Sequence, residues 1–155
     1  MAVSLPSRPA IGRPEVAPAL FRLLAESALS RAALDACGLP LALVDAAADN
    51  SISYVNPAFE GFFGYRTAEA LGRSVGTLLS ADAESAARLY TVPEAQLLLR
   101  ARRKDGSPAH VEVAVGAVRG VDGRVTHWVL AFSDRTELEQ LRDKLNALRA
   151  AATGV

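Results

Sequence analysis

Cysteine is almost absent from this 155-residue chain, and Cys37 is its only example. An intramolecular disulfide is therefore excluded, and a cysteine-based metal cluster lacks ligands, which suits a reducing compartment. Histidine is nearly as scarce, at 2 residues, and no histidine or carboxylate spacing resembles a metal site. Net charge is missing too: 17 basic and 17 acidic residues cancel. Without a block of like charge there is no electrostatic footprint for nucleic acid or an anionic membrane. No run approaches the ~20 apolar residues of a membrane span, and residues 1–14 lack the apolar stretch of a secretory signal. No glycine-rich phosphate loop is present, and neither Ser74 nor Ser80 has an identifiable histidine partner. The expectation is a cytoplasmic protein that is not an enzyme and has neither nucleic acid nor membrane as partner.

What is present is enough for one domain. Half the residues are hydrophobic and 22% are charged, an ordinary globular balance. Residues 1–14 are a disordered lead-in, broken by Pro6, Pro9 and Pro14. Over 15–37 the period is helical: Leu20, Leu23, Leu24, Ser27 and Leu34 share a face until Gly38 and Pro40 stop it. Leu41 to Asp45 and Ile52 to Val55 flank the polar turn Asp49-Asn50 and predict a hairpin-like pair of strands. Asn56 then caps a short helix from Ala58 to Phe63, with Pro57 in its first turn and Gly64 at its end. Further brief helices follow at Thr67 to Leu71, at Ser74 to Leu79, and at Ala81 to Tyr90 with Ser80 as cap.

From Glu94 the period changes to two. Glu94 to Arg103, Pro108 to Arg119 and Arg124 to Ser133 predict strands, separated by turns at Lys104-Asp105-Gly106 and Asp122-Gly123. Two strands, short helices and three more strands imply an α+β fold with helices gathered on one face of an antiparallel sheet. After Asp134 the helical period returns. Leu138, Leu141, Leu145 and Leu148 recur at intervals of three, four and three, the seam of a short coiled coil. The domain itself is then 38–133, with a signalling or coiled-coil helix over 134–155.

Three segments together resemble the PAS superfamily. They are Tyr54 to Tyr65 followed by Glu69 to Ser74, then Arg103-Lys104-Asp105-Gly106, then Phe132-Ser133-Asp134-Arg135-Thr136-Glu137. The resemblance implies a PAS fold, with a five-stranded antiparallel sheet cupping short helices and flanking helices that pass a state to an effector. It implies a structural ion pair between Glu69 and Lys104, and a signalling junction at Asp134, Arg135 and Thr136. By motif wording the nearest subtype is the flavin-binding LOV group, whose photochemistry needs a cysteine thiol after the Gly-Arg pair. That position holds Val75, and the phosphate-side arginine and its glutamine correspond to Gly76 and Leu79. Positions where LOV relatives carry flavin-binding amides hold Ala101, Val111 and Phe132. Unpaired buried flavin heteroatoms would cost ~1–3 kcal/mol each, so flavin is not expected. Haem is not expected either, because no histidine lies between Ser74 and Tyr90.

His110 and His127 alternate against apolar neighbours, which puts both on the outer sheet face, either as plain surface residues or as a pH-sensitive contact. Glu94 and Glu112 are expected as solvated strand charges. The interior of the cup is apolar: Phe59, Phe63, Leu71, Val75, Leu78, Leu79, Ala101, Val111, Val113, Trp128, Leu130 and Phe132. A pocket for a small apolar ligand and a filled core both satisfy this pattern, and close packing of interiors favours the filled core. Two functions follow as expectations. One is a sensory module that dimerises and relays its state through the C-terminal helix. The other is a ligand-free adaptor whose N-terminal helix and leucine seam dimerise and dock on a separate effector, with the sheet face around Val125, His127 and Val129 covered by a helix or second subunit.

Overall fold

The computed structural model describes residues 27–91 and 96–153. The chain divides between Ala36 and Cys37 into two units. In the first, residues 27–36 form helix α1. The leucines assigned to its face at 20, 23 and 24, the lead-in over 1–14, and Glu94 lie outside the described residues.

The second unit begins with strand β1 (Leu41–Asp45) and a 3-10 turn (Ala46–Ala48), followed by strand β2 (Ser51–Val55). Asp49 and Asn50 both take left-handed backbone (φ 55°) and reverse the chain between the strands. These residue types tolerate that region better than most. Helices α2 (Pro57–Phe63), α3 (Thr67–Ala70), α4 (Val75–Leu78) and α5 (Ala83–Arg88) follow. Strands β3 (Gln96–Arg102), β4 (Pro108–Arg119) and β5 (Val125–Asp134) complete a five-stranded antiparallel sheet in the order β2-β1-β5-β4-β3. The last element is helix α6 (Thr136–Thr153).

Asn56 explains how the hairpin hands over to the helices. Its buried side chain accepts from Phe59 N–H at 3.0 Å, capping α2, and from Leu41 N–H at 2.8 Å. Its amide donates to the carbonyls of Leu39 at 2.9 Å and Cys37 at 3.3 Å. One carboxamide thereby ties the entry of β1 to the start of α2, using donor and acceptor together. Gly64 closes α2 with φ +84° and an N–H bond to Glu60 O. A Cβ there would sit 3.3 Å from Lys104 Cβ, so both the conformation and the space call for glycine.

The alternation read from the sequence sorts the sheet faces. Along β4, Ala109, Val111, Val113 and Val115 are buried, while His110, Glu112 and Ala114 face outward; along β5, Trp128, Leu130 and Phe132 are buried. The inner face packs against α2, α3 and α4 through Phe59, Phe63, Ala70, Val75 and Leu78, and against Leu89, which follows α5.

Several expectations need correction. Leu71 is 44% exposed: it terminates α3 with an extended ψ of 135°, and Ala70 takes the buried place. Ser80 caps nothing. It lies in left-handed backbone (φ 53°), and the side chain of Asp82 caps α5 by accepting from Ser85 N–H at 3.0 Å. The helix anticipated over Ala81 to Tyr90 is accordingly shorter. Glu112 is a half-buried partner of Arg135 rather than a free solvated charge, because the chain reversal after β5 brings that guanidinium beside it.

Candidate functional site

The helices close over the inner sheet face to make a cup, and the interior residues named from the sequence, Leu71 apart, meet in one cluster. At its centre Phe132 of β5 packs against Phe63 and Phe59 of α2, with ring centroids 5.2 and 5.7 Å away at steep angles. Phe59 and Phe63 are themselves 4.7 Å apart. Edge-on and tilted contacts of this kind are favourable for aromatic rings. Val75, Leu78 and Leu79 line the helical wall, and Ala101, Val111, Val113, Trp128 and Leu130 the sheet wall; all are buried.

The positions at which the resemblance implies amide or thiol groups hold Val75, Ala101, Val111 and Phe132, which offer an isoalloxazine edge no hydrogen bond. Cys37 precedes β1, with its carbonyl held by Asn56. Among the described residues no group of three or more His, Cys, Asp or Glu is placed to hold a metal ion.

The exit from the cup is built on β4. Asp134 accepts from Thr136 N–H at 2.9 Å, a local turn that starts α6. Burial pushes the Asp134 carboxyl up, but the Thr136 hydrogen bonds and the Arg103 charge outweigh it and hold the group below its ordinary value. Arg135 donates its N–H to His110 O at 2.7 Å and its guanidinium to Glu112 at 3.0 Å. Thr136 Oγ1 accepts from His110 N–H at 3.1 Å. The junction residues are thus brought together and bolted to two neighbouring positions of β4. Sequence reading placed the junction but missed these anchors. Residues 23 to 26 apart in the chain leave no periodic signal, and only the β4–β5 register makes them neighbours.

Glu69 and Lys104 lie 2.6 Å apart and link α3 to the β3–β4 turn. The hydrogen bond from Lys104, then that from Arg66 N–H, holds the Glu69 carboxyl below its usual range. Both side chains are substantially exposed, so the pair is sensitive to salt. On α6, Leu138, Leu141, Leu145 and Leu148 are all exposed, between 47 and 68%, and none of the residues of this 18-residue helix is buried.

One feature had no sequence signal at all. The hydroxyl of Tyr90 is shielded from solvent and has no hydrogen-bond partner, and burial pushes its pKa up to about 12. Its ring lies 5.8 Å from that of Trp128. A buried unpaired polar group of this kind costs ~1–3 kcal/mol.

A five-stranded antiparallel sheet cupping short helices, with a helix leaving the last strand, defines a sensory-domain architecture. A family model described as the PAS fold matches residues 28–135, and the chain belongs to that family. It is similar to the structure of an RNA-binding light-oxygen-voltage receptor, at 30% identity and a TM-score of 0.71 over 83% of this chain and 38% of that one. It is also similar to a Rhodobacter sphaeroides LOV protein, at 25% identity and a TM-score of 0.59 over 67% of this chain and 64% of that one. The light-state structure of the Aureochrome1 LOV photoreceptor shares the fold, at 22% identity and a TM-score of 0.58 over 69% of this chain and 91% of that one. The chain thus spans 38% of the first relative and 64% of the second. It is a PAS domain of LOV-like structure, a sensory type of module. No helix among its described residues is long and apolar enough to cross a membrane.

Proposed function

We propose that this domain is a relay module that dimerises through α6 and passes its state along β5 and the Asp134-Arg135-Thr136 junction without flavin photochemistry. The observation that carries this reading is the filled cup. Phe132 stands on the strand that leads directly into the junction, and its ring packs on Phe59 and Phe63. A shift of β5 would therefore be felt at both the cup and the junction, because close-packed interiors transmit displacement. The exposed leucines of α6 supply the seam on which a homodimer forms, with an effector protein downstream. The filled core also supports a second reading, a ligand-free adaptor that dimerises and docks on the effector; a sensor of a small apolar ligand would require the aromatic cluster to open.

Purified protein is expected to be colourless, with no flavin absorption in the blue and no co-purifying molecule by native mass spectrometry. A yellow preparation with stoichiometric flavin would sink the proposal, and a retained apolar ligand would select the sensor reading. For the dimer, Leu141→Asp with Leu145→Asp should give a folded monomer by light scattering, because two charges in a short seam cannot be buried unpaired. An oligomer that survives this change is not held by α6.

A further inference from the structure

β3 stands at the edge of the sheet, with β4 on one side only. In an antiparallel pair, residues alternate between turning both N–H and C=O toward the partner strand and turning both away. The register sets Arg100 opposite His110 and Leu98 opposite Glu112. His110 turns away from β3: its C=O accepts from Arg135 N–H at 2.7 Å, and its N–H donates to Thr136 Oγ1 at 3.1 Å. Arg100, and Leu98 two residues before it, therefore turn the other way, to the free edge. Arg102 has the same parity, and its N–H donates across that edge to Leu79 O at 2.7 Å. Among the described residues, the edge-facing N–H and C=O of Leu98 and Arg100 have no such partner.

This edge opens onto space. A cavity of about 350 Å³ is lined by Leu98, Leu99 and Arg100, and one of about 460 Å³ by Arg100, Ala101 and Arg102. Successive residues of a strand point to opposite faces, so a lining of consecutive residues follows the backbone edge rather than one face. Asp82 borders both cavities, and the bond between Arg102 and Leu79 closes one end, so the two form a single groove.

Charge selects the occupant. The carboxylates of the lining are engaged already: Asp82 accepts from Ser85 N–H at 3.0 Å, and Glu139 lies 3.5 Å from Arg142. The Arg102 guanidinium donates to Gly106 O at 2.9 Å. Among the described residues, the exposed Arg100 guanidinium has neither a hydrogen bond nor an ion pair. On the same face, Leu98 is 55% exposed. A second copy of β3 fits poorly, because it offers Arg100 only uncharged or basic residues and carries its own Leu79 segment along the edge that would have to pair.

We propose that this groove takes an extended peptide of a partner protein as a further strand beside β3, with an acidic residue against Arg100 and an apolar residue two positions away against Leu98. The main chain of Leu98 and Arg100 supplies affinity, and the two side chains supply selectivity. His110 and Glu139 border the groove, so the docked strand lies beside the start of α6. The inference depends neither on how α6 dimerises nor on what the cup holds.

The test titrates short capped peptides into the full chain and follows backbone amide resonances. The first alternates threonine and valine around a glutamate and, two residues on, a leucine; the second has lysine in place of the glutamate. Two more are the first peptide N-methylated on its odd or on its even residues. The first peptide should shift the Leu98 and Arg100 amides saturably and slow their exchange. The lysine peptide should bind about fivefold more weakly, and Arg100→Gln should remove that preference. One N-methylated form should bind at least about tenfold more weakly and the other nearly as well as the parent, since a paired strand turns alternate amides away from its neighbour. The proposal is overturned if the first peptide gives no saturable shift in β3, if the two N-methylated forms bind alike, or if the lysine peptide binds as tightly as the first.

Discussion

Replacing Tyr90 by phenylalanine isolates one atom whose energetic role the structure defines. The hydroxyl is buried without a partner, so its removal returns a desolvation penalty of ~1–3 kcal/mol. The ring keeps its place against Trp128, and the volume change is a single oxygen. Tyr90→Phe is therefore expected to stabilise the unliganded protein by about 1 kcal/mol or more. For a chain of this size each kcal/mol raises Tm by about 2–8 °C, within reach of calorimetry or circular dichroism. The pH dependence gives an independent check. An unfolded tyrosine ionises near pH 10, while Tyr90 in the folded chain holds its proton to about 12. Its contribution is thus fully present below pH 10 and is lost as pH rises through that window, because the unfolded state then binds fewer protons. Over this interval the advantage of the phenylalanine variant should widen by about 1.4 kcal/mol per pH unit. A lower Tm for Tyr90→Phe at neutral pH would refute the reasoning, since it would mean that the hydroxyl makes a stabilising bond in solution.

Other consequences can be checked alongside. Phe132→Ala leaves a cavity between Phe59 and Phe63 and should cost about 3–5 kcal/mol in urea unfolding; a cost under about 1 kcal/mol would mean the cup is not packed in solution. At the junction, a double-mutant cycle of Glu112→Gln and Arg135→Gln should give a coupling of about 0.5–1 kcal/mol, in line with their partial exposure. The same variants should speed amide exchange in the first turn of α6 while leaving β1 unchanged; unchanged exchange would mean that the ion pair does not hold the start of α6. Gly76→Val should destabilise by about 1–3 kcal/mol, since even its Cβ overlaps Ala86, and Gly61→Ala, with open space around it, should not.

Much of the architecture was legible because it rests on local periodicity. The alternation in β4 and β5 named the buried face, Asn56 and Gly64 announced both ends of α2, and the two glycine-bearing turns separated the last three strands. Failures occurred where a local rule had more than one solution. Ser80 and Asp82 are both good caps, and only the left-handed turn at Ser80 decides that Asp82 does the capping. Leu71 looks like a core residue in any helical pattern, yet the helix ends at Ala70 and the next side chain turns outward.

By itself the sequence determined the order of elements and the apolar lining of the cup, since these depend on residue type and on periods of two or 3.6 residues. Tertiary structure alone decided that Phe132 closes against Phe59 and Phe63, that Glu112 and His110 anchor the start of α6, and that Tyr90 is left with an unpaired hydroxyl. The physical reason is range: each of these depends on residues brought together by strand register and helix packing, at separations where no pattern along the chain links one to the other.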